Sequence, residues 1–205
     1  MDIGRAFGYT FQDPNWLKKI VIGGLLLIIP IFGWFVVGGY GIRVMRNVLS
    51  GTDLPLPEWD DLGALFMDGL SAFIVTLIWW IPIIIVTAIF DQIGGFVFQC
   101  LSFIIGVLGS VVVAAVLPPF AQTGKISDGL QFQAIISRVT ANIGDYLTIY
   151  VLGFVLAIIA VAGLIGLCVG VLFTLVYVSL VNAHLASQAY RRSLGSTPTP
   201  TQQAF

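Results

Sequence analysis

Polar and charged residues in this chain are confined to short clusters, and the apolar runs between them are too long for half-buried strands. The first run, Leu17 to Ile42, has Lys18 and Lys19 at one end, Arg43 and Arg46 at the other, and Pro30 and Gly33 at its middle. Lys and Arg stay on the cytoplasmic side of short loops, so cations at both ends predict a hairpin with Pro30–Trp34 as its far tip. As a helix, Leu17–Ile29 covers only about 20 Å of a hydrocarbon core about 30 Å thick. This first hairpin is therefore either re-entrant or strongly tilted.

The second unit runs from Gly69 to Phe90, turns through Asp91-Gln-Ile-Gly-Gly95 and returns from Phe96 to Phe120, with each arm long enough to span. The third, Leu147 to about Ala186, is too long for one crossing and has Gly163-Leu-Ile-Gly166 near its middle, so it reads as two helices. On this arrangement all nine Lys and Arg residues (Arg5, Lys18, Lys19, Arg43, Arg46, Lys125, Arg138, Arg191 and Arg192) share one side, and the three opposite turns have none. The pattern predicts an all-α integral membrane protein of six membrane segments in three hairpins, in the cell membrane with both termini cytoplasmic. Residues 1–194 form a single polytopic domain, and the Ser-, Thr-, Pro- and Gln-containing tail 195–205 reads as a flexible cytoplasmic end.

Three stretches outside the hairpins show helical amphipathicity. In Gln131–Ile143, Phe132, Ile135, Ile136, Val139 and Ile143 form one face, with Gln133, Ser137, Arg138 and Thr140 opposite. An Ile3/Phe7/Phe11 stripe marks a similar N-terminal element, and Leu62–Met67 is a third, with Asp60 or Asp61 as its N-cap. Such helices lie in the headgroup plane or pack against a cytoplasmic partner. The order of interfacial helix and hairpin around Asn15-Trp16-Leu17 is echoed around Asp145-Tyr146-Leu147, consistent with a weak internal duplication.

Composition narrows the function. The 205 residues are 58% hydrophobic and 9% charged, with mean hydropathy +1.01, a surface suited to lipid. A formal net charge of -1 offers no basic field for nucleic acid. Cys100 and Cys168 are too few for a disulfide framework and sit in no CxxC or Cys/His cluster, so packed free thiols are expected and no metal or cofactor is implied. Lys18-Lys19 before Ile20–Ile29 imitates a signal peptide, but Pro30-Ile-Phe-Gly-Trp34 offers no small-residue cleavage site, so the mature chain is expected to start at Met1.

Candidate chemistry is sparse. Apart from Lys18 and Lys19 at the edge of the first, the proposed spans hold no Asp, Glu, Lys or Arg, the residues that mark proton relays and ion pathways. The loop Leu54-Pro-Leu-Pro-Glu-Trp-Asp-Asp61 is the densest polar site, and Glu58, Trp59, Asp60 and Asp61 are its candidate docking residues. Its alternative reading is architectural: Trp59 anchors the loop at the interface while the carboxylates cap the next helix and face Arg43 and Arg46. His184, the only histidine, reads as a headgroup or interhelical hydrogen-bonder. Ser102, Gly106, Ser110 and Ala114 recur every four residues, and Gly166 and Gly170 form a GxxxG, together a candidate helix-packing face. Breaks at Gly23-Gly24, Pro30, Pro82 and Pro118-Pro119 either shape a bundle or open a substrate cavity.

Four segments carry a resemblance: Phe11-Gln-Asp-Pro-Asn-Trp-Leu-Lys-Lys19, Gly39-Tyr-Gly-Ile-Arg43, Leu56-Pro-Glu-Trp-Asp-Asp61 and Asp68-Gly69. Together they resemble domain of unknown function family 4013, which implies a multi-pass membrane protein of bacteria or archaea and brings no mechanism. The function expected is that of a non-enzymatic subunit or scaffold, whose partners are the bilayer and either other membrane proteins or further copies of itself. The alternative is a channel or transporter for a neutral or apolar solute.

Overall fold

The structure, a computed structural model, describes residues 2–52, 56–162 and 170–196. It is 86% helix, with no strand among the described residues. The helices are α1 (Ile3–Gln12), α2 (Trp16–Leu27), α3 (Phe32–Ser50), α4 (Leu62–Ile93), α5 (Phe96–Val113), α6 (Leu117–Thr123), α7 (Ile126–Gly129), α8 (Phe132–Ala141), α9 (Ile143–Ala162) and α10 (Gly170–Ser196). A ten-residue amphipathic helix followed by a helical pair occurs twice, as α1–α2–α3 and as α8–α9–α10.

Four helical stretches are long and apolar enough to cross a membrane: Leu62–Ile93, Phe96–Thr123, Ile143–Ala160 and Gly170–Gly195. Neither arm of the first hairpin is among them: the 12 residues of α2 reach only about 18 Å, and the 19 residues of α3 include Arg43 and Arg46. Its turn is tighter than the expected Pro30–Trp34 tip, since Phe32 already begins α3. Ile31 lies at φ 66° and the Phe32 N–H bonds the Pro30 carbonyl at 2.7 Å, a γ-turn that a β-branched residue adopts at a cost in strain.

Leu62–Met67, expected as a separate interfacial element, is instead the opening of α4, which runs on unbroken for 32 residues. Asp61 caps it by accepting the Ala64 N–H at 2.9 Å. Nothing in Asp68-Gly69 stops the helix, because Gly69 is clamped against α3 and packing outweighs its low propensity. After α5 the chain makes a turn of i→i+3 bonds, Ala115 N–H to Val112 O and Val116 N–H to Val113 O. Pro118 and Pro119 then open α6, where the missing N–H groups cost nothing.

The core is built on α3 and α10, with the first half of α4, α6 and α8 around them. Val36, Tyr40, Val44, Leu65, Val75, Phe120, Ile135, Leu180 and Leu185 are buried within it. Burial then stops: from Trp80 to Ser110, across most of the α4–α5 hairpin, no residue is buried. The two arms there hold each other through Phe90 and Phe98, with ring centroids 5.7 Å apart, and through the Ser102 hydroxyl, which donates to the Thr87 carbonyl at 3.3 Å.

Both outer amphipathic helices use two faces. On α8, Ile135 and Val139 enter the core while Phe132 and Ile136 stay about half exposed. On α1 the predicted stripe divides: Ile3 and Phe11 are exposed, Phe7 packs partly against the core, and Ala6, Tyr9 and Thr10 turn toward the protein. The turn expected at Gly163–Gly166 and residues 197–205 of the tail lie outside the described residues, whereas Gly195 and Ser196 complete α10.

Candidate functional site

The four segments that carry the resemblance lie far apart in sequence and meet in one knot beside α3. Lys19, at the start of α2, is 5% exposed, and its ammonium pairs with Asp13 at 2.8 Å and Glu58 at 2.7 Å while donating to the Leu56 carbonyl at 3.1 Å. Burial alone would depress the Lys19 pKa, but the Asp13 and Glu58 carboxylates outweigh it and hold it above the ordinary lysine value. Asp13 also accepts the Asn15 N–H at 2.7 Å, which turns the chain from α1 into α2.

Trp59 locks the same loop from the other side. Its indole N–H donates to the Lys19 carbonyl at 3.0 Å, and its ring stacks on Tyr40 with centroids 3.9 Å apart. Tyr40, fully buried on α3, donates its hydroxyl to the Pro57 carbonyl at 2.9 Å. Trp59 is thus held by protein partners. One step along, Arg43 reaches Asp60 at 3.4 Å and Asp68 at 3.6 Å, and Arg46 reaches Asp68 at 3.6 Å while donating to the Ala121 carbonyl at 3.0 Å.

Every candidate docking residue is therefore engaged within the chain, for Glu58 pairs with Lys19, Trp59 stacks on Tyr40, Asp60 meets Arg43 and Asp61 caps α4. Among the described residues no three His, Cys, Asp or Glu side chains converge as a metal site would need. Asp13 and Tyr40 are partners of this loop that sequence reasoning misses. Their signal is present in the sequence, because an aspartate six residues before a lysine at a helix start and a tyrosine between glycines both invite buried contacts.

The proposed packing face divides. Ser102 points to α4 through its bond to Thr87, and Ala114 lines a partly open apolar cavity. Gly106 has open space where a β-carbon would stand, and Ser110 bonds only its own helix, at Val107 O. The glycine that seats α5 on α4 is Gly109, whose β-carbon would strike Ile83. Gly170 is the first residue of α10; Gly166 and Cys168 lie outside the described residues, and Cys100 is exposed as a free thiol.

Two cavities away from this loop bear on the candidate residues Ala114 and His184. The apolar one, about 350 Å³, lies among α3, the α5–α6 turn, α9 and α10, bounded by Gly38, Gly41, Met45, Ala114, Ile149 and Ala183. Small residues on facing helices leave this volume unfilled. Asn182 and Ser179 add its polar groups.

The other, about 330 Å³, is polar and opens between α1, the end of α3 and α10, where it is lined by Asp2, Arg5, Tyr9, His184, Gln188 and Arg191. The His184 ring stacks on Tyr9 with centroids 4.5 Å apart. The Tyr9 and Thr10 hydroxyls are buried without a hydrogen bond of proper geometry. Burial raises Tyr9 above its ordinary value, and the nearby Thr10 hydroxyl moderates the rise.

No curated protein and no solved structure matches the chain. The model of a family described as protein of unknown function (DUF4013) matches residues 22–171, a range that holds the Gly39–Arg43, Leu56–Asp61 and Asp68-Gly69 segments of the knot but stops short of Asp13 and Lys19. With most of its 205 residues under that match, the chain belongs to the DUF4013 family.

Proposed function

We propose that this protein is a non-enzymatic, multi-pass integral membrane protein that works as a subunit or scaffold, associating with other membrane proteins through its α4–α5 hairpin. The observation that carries this reading is the absence of any buried residue from Trp80 to Ser110, combined with the open space over Gly106. Lipid tails solvate large apolar side chains well, but small residues let a neighbouring backbone approach closely enough to gain dispersion contacts. Nothing lies within 4 Å of where a β-carbon on Gly106 would stand, so that position is free to receive another helix.

In the proposed arrangement the cations lie in the cytoplasm and the α4–α5 turn lies on the opposite face. The first hairpin enters without crossing, as the length of α2 favours. With Cys100 and Cys168 replaced, a single Ile93→Cys should label from outside the cell; labelling only from the cytoplasm reverses the orientation.

Association is tested by Gly106→Leu with Ser110→Leu. The pair should keep helicity and melting temperature yet lose co-purifying partners or native size in mild detergent. Gly109→Leu, placed against Ile83, should instead damage the fold. An unaltered assembly in the folded Gly106/Ser110 variant sinks the proposal.

The apolar cavity favours a second reading, a carrier or channel for a neutral or apolar solute. Met45→Trp should fill that cavity. Loss of solute flux in liposomes, with the assembly intact, promotes this reading over the first.

A further inference from the structure

We propose that the polar cavity between α1 and α10 is a phosphate-binding site. The reading is independent of the α4–α5 surface and starts from which hydrogen-bonding groups the cavity leaves unused. Gln188 fixes the frame. Its Oε1 accepts the Asp2 backbone N–H at 2.7 Å, so its Nε2 is the donor, reaching the Asp2 carbonyl at 2.9 Å and His184 Nδ1 at 2.9 Å. His184 Nδ1 must therefore be the acceptor and Nε2 must carry the proton. A neutral histidine held in this tautomer offers a donor and no further acceptor.

The two arginines contribute donors as well. The Arg5 guanidinium makes no ion pair or hydrogen bond among the described residues, and its backbone N–H is already taken by Asp2 Oδ1 at 2.8 Å. Arg191 spends one N–H on the Val48 carbonyl at 3.3 Å, leaving the rest of its fork. Among the described residues Asp2 is the one carboxylate on the lining; it caps α1 and pairs with neither arginine.

Among the described residues two exposed cations stand against one capping carboxylate around a cavity of about 330 Å³, roomy beside the roughly 30 Å³ that one water occupies in the liquid. The complementary ligand carries several acceptor oxygens and negative charge, and guanidinium forks match phosphate in particular. The cavity lies at the end of α10, beside an amphipathic helix whose Ile3 and Phe11 face outward, where a lipid headgroup and a soluble phosphomonoester are equally within reach.

The experiment uses the full chain. Calorimetric titration with inorganic phosphate in an uncharged detergent tests the soluble source. Native mass spectrometry of protein released from phosphatidylcholine nanodiscs, with and without phosphatidic acid, tests the lipid source. Binding of inorganic phosphate, or selective retention of phosphatidic acid, supports the site and says which source fills it. Arg5→Gln should weaken that binding about tenfold or more, because a charge-assisted bond is lost, while Arg5→Lys should restore much of it. Lys125→Gln, at an exposed lysine outside the cavity lining, should change nothing.

Phenylglyoxal labelling of the unmutated chain gives a readout that needs no variant: bound phosphate or phosphatidic acid should shield Arg5 and leave the exposed Arg192 reactive. Failure of both ligands to bind, or binding that Arg5→Gln leaves unchanged and that does not shield Arg5, overturns the proposal.

Discussion

Gly39 of α3 and Gly69 of α4 meet backbone to backbone: a β-carbon on Gly39 would fall on the Leu65 carbonyl, and one on Gly69 would fall on the Phe35 carbonyl. The contact is reciprocal and rigid, since a main-chain carbonyl cannot swing aside as a side chain does. It sets how closely the two helices cross, and through α3 it positions the Tyr40 and Arg43 side chains that hold the loop from Leu56 to Asp61.

Either Gly39→Ala or Gly69→Ala should force that crossing open, at the upper end of the roughly 1–3 kcal/mol that overpacking costs. Gly41→Ala, two residues away with nothing within 4 Å, should be neutral or stabilising. Thermal unfolding in detergent separates the three variants, and similar losses in all of them would contradict the geometry.

The Lys19 pair gives a second contrast. Asp13 and Lys19 side chains are 7% and 6% exposed, whereas Glu58 is 65% exposed. Removing the buried partner with Asp13→Asn should cost about 1–3 kcal/mol, because the ammonium loses its buried counter-charge and keeps only the exposed Glu58 and the Leu56 carbonyl. Glu58→Gln should cost under about 1 kcal/mol, since water already screens that arm. Denaturation of the two variants side by side checks the order, and a larger loss from Glu58→Gln would reverse it.

Asp61 and Asp60 should separate in the same way. Asp61→Ala removes the α4 N-cap, worth about 0.5–2 kcal/mol, and should speed amide exchange at Gly63 and Ala64. Asp60→Asn loses only an exposed contact with Arg43. Titration with calcium and magnesium should show no micromolar site in the wild type; a site lost in the double variant would return this loop to cation binding.

Trp79 ties the second half of the chain to α4, as its buried indole N–H donates to the Gly129 carbonyl at 2.8 Å and its ring lies 4.4 Å from that of Phe132. Trp79→Phe keeps the aromatic contact and orphans a carbonyl, at a cost of about 1–3 kcal/mol. Hydrogen exchange should rise in α7 and α8 and stay unchanged at α1; uniform change throughout would show that the bond anchors nothing local.

The helical class, the apolar length of the second and third helical pairs, the amphipathic α8 and the acidic loop as a place where carboxylates face Arg43 and Arg46 are all legible in the chain before it folds. These follow from periodicity, from charge placement and from short-range capping, all of which act within a few turns of one helix. Long-range packing decided the rest. That Leu62–Met67 continues into α4 depends on Gly69 being held by α3, and that Gly109 seats α5 on α4 while Gly106 stays open depends on which side of α5 faces Ile83. The spacing rule for small residues names Gly106, within the Ser102–Ala114 repeat, and passes over Gly109, which has Ile105 and Val113 four residues to either side. Lys19 reads in sequence as one of a pair of flanking cations; only folding brings Asp13 and Glu58 close enough to hold it in the interior while Lys18 stays outside. Arg5, His184 and Arg191 likewise become one cavity only when α1 packs against the end of α10, since no local signal couples residues almost a chain length apart.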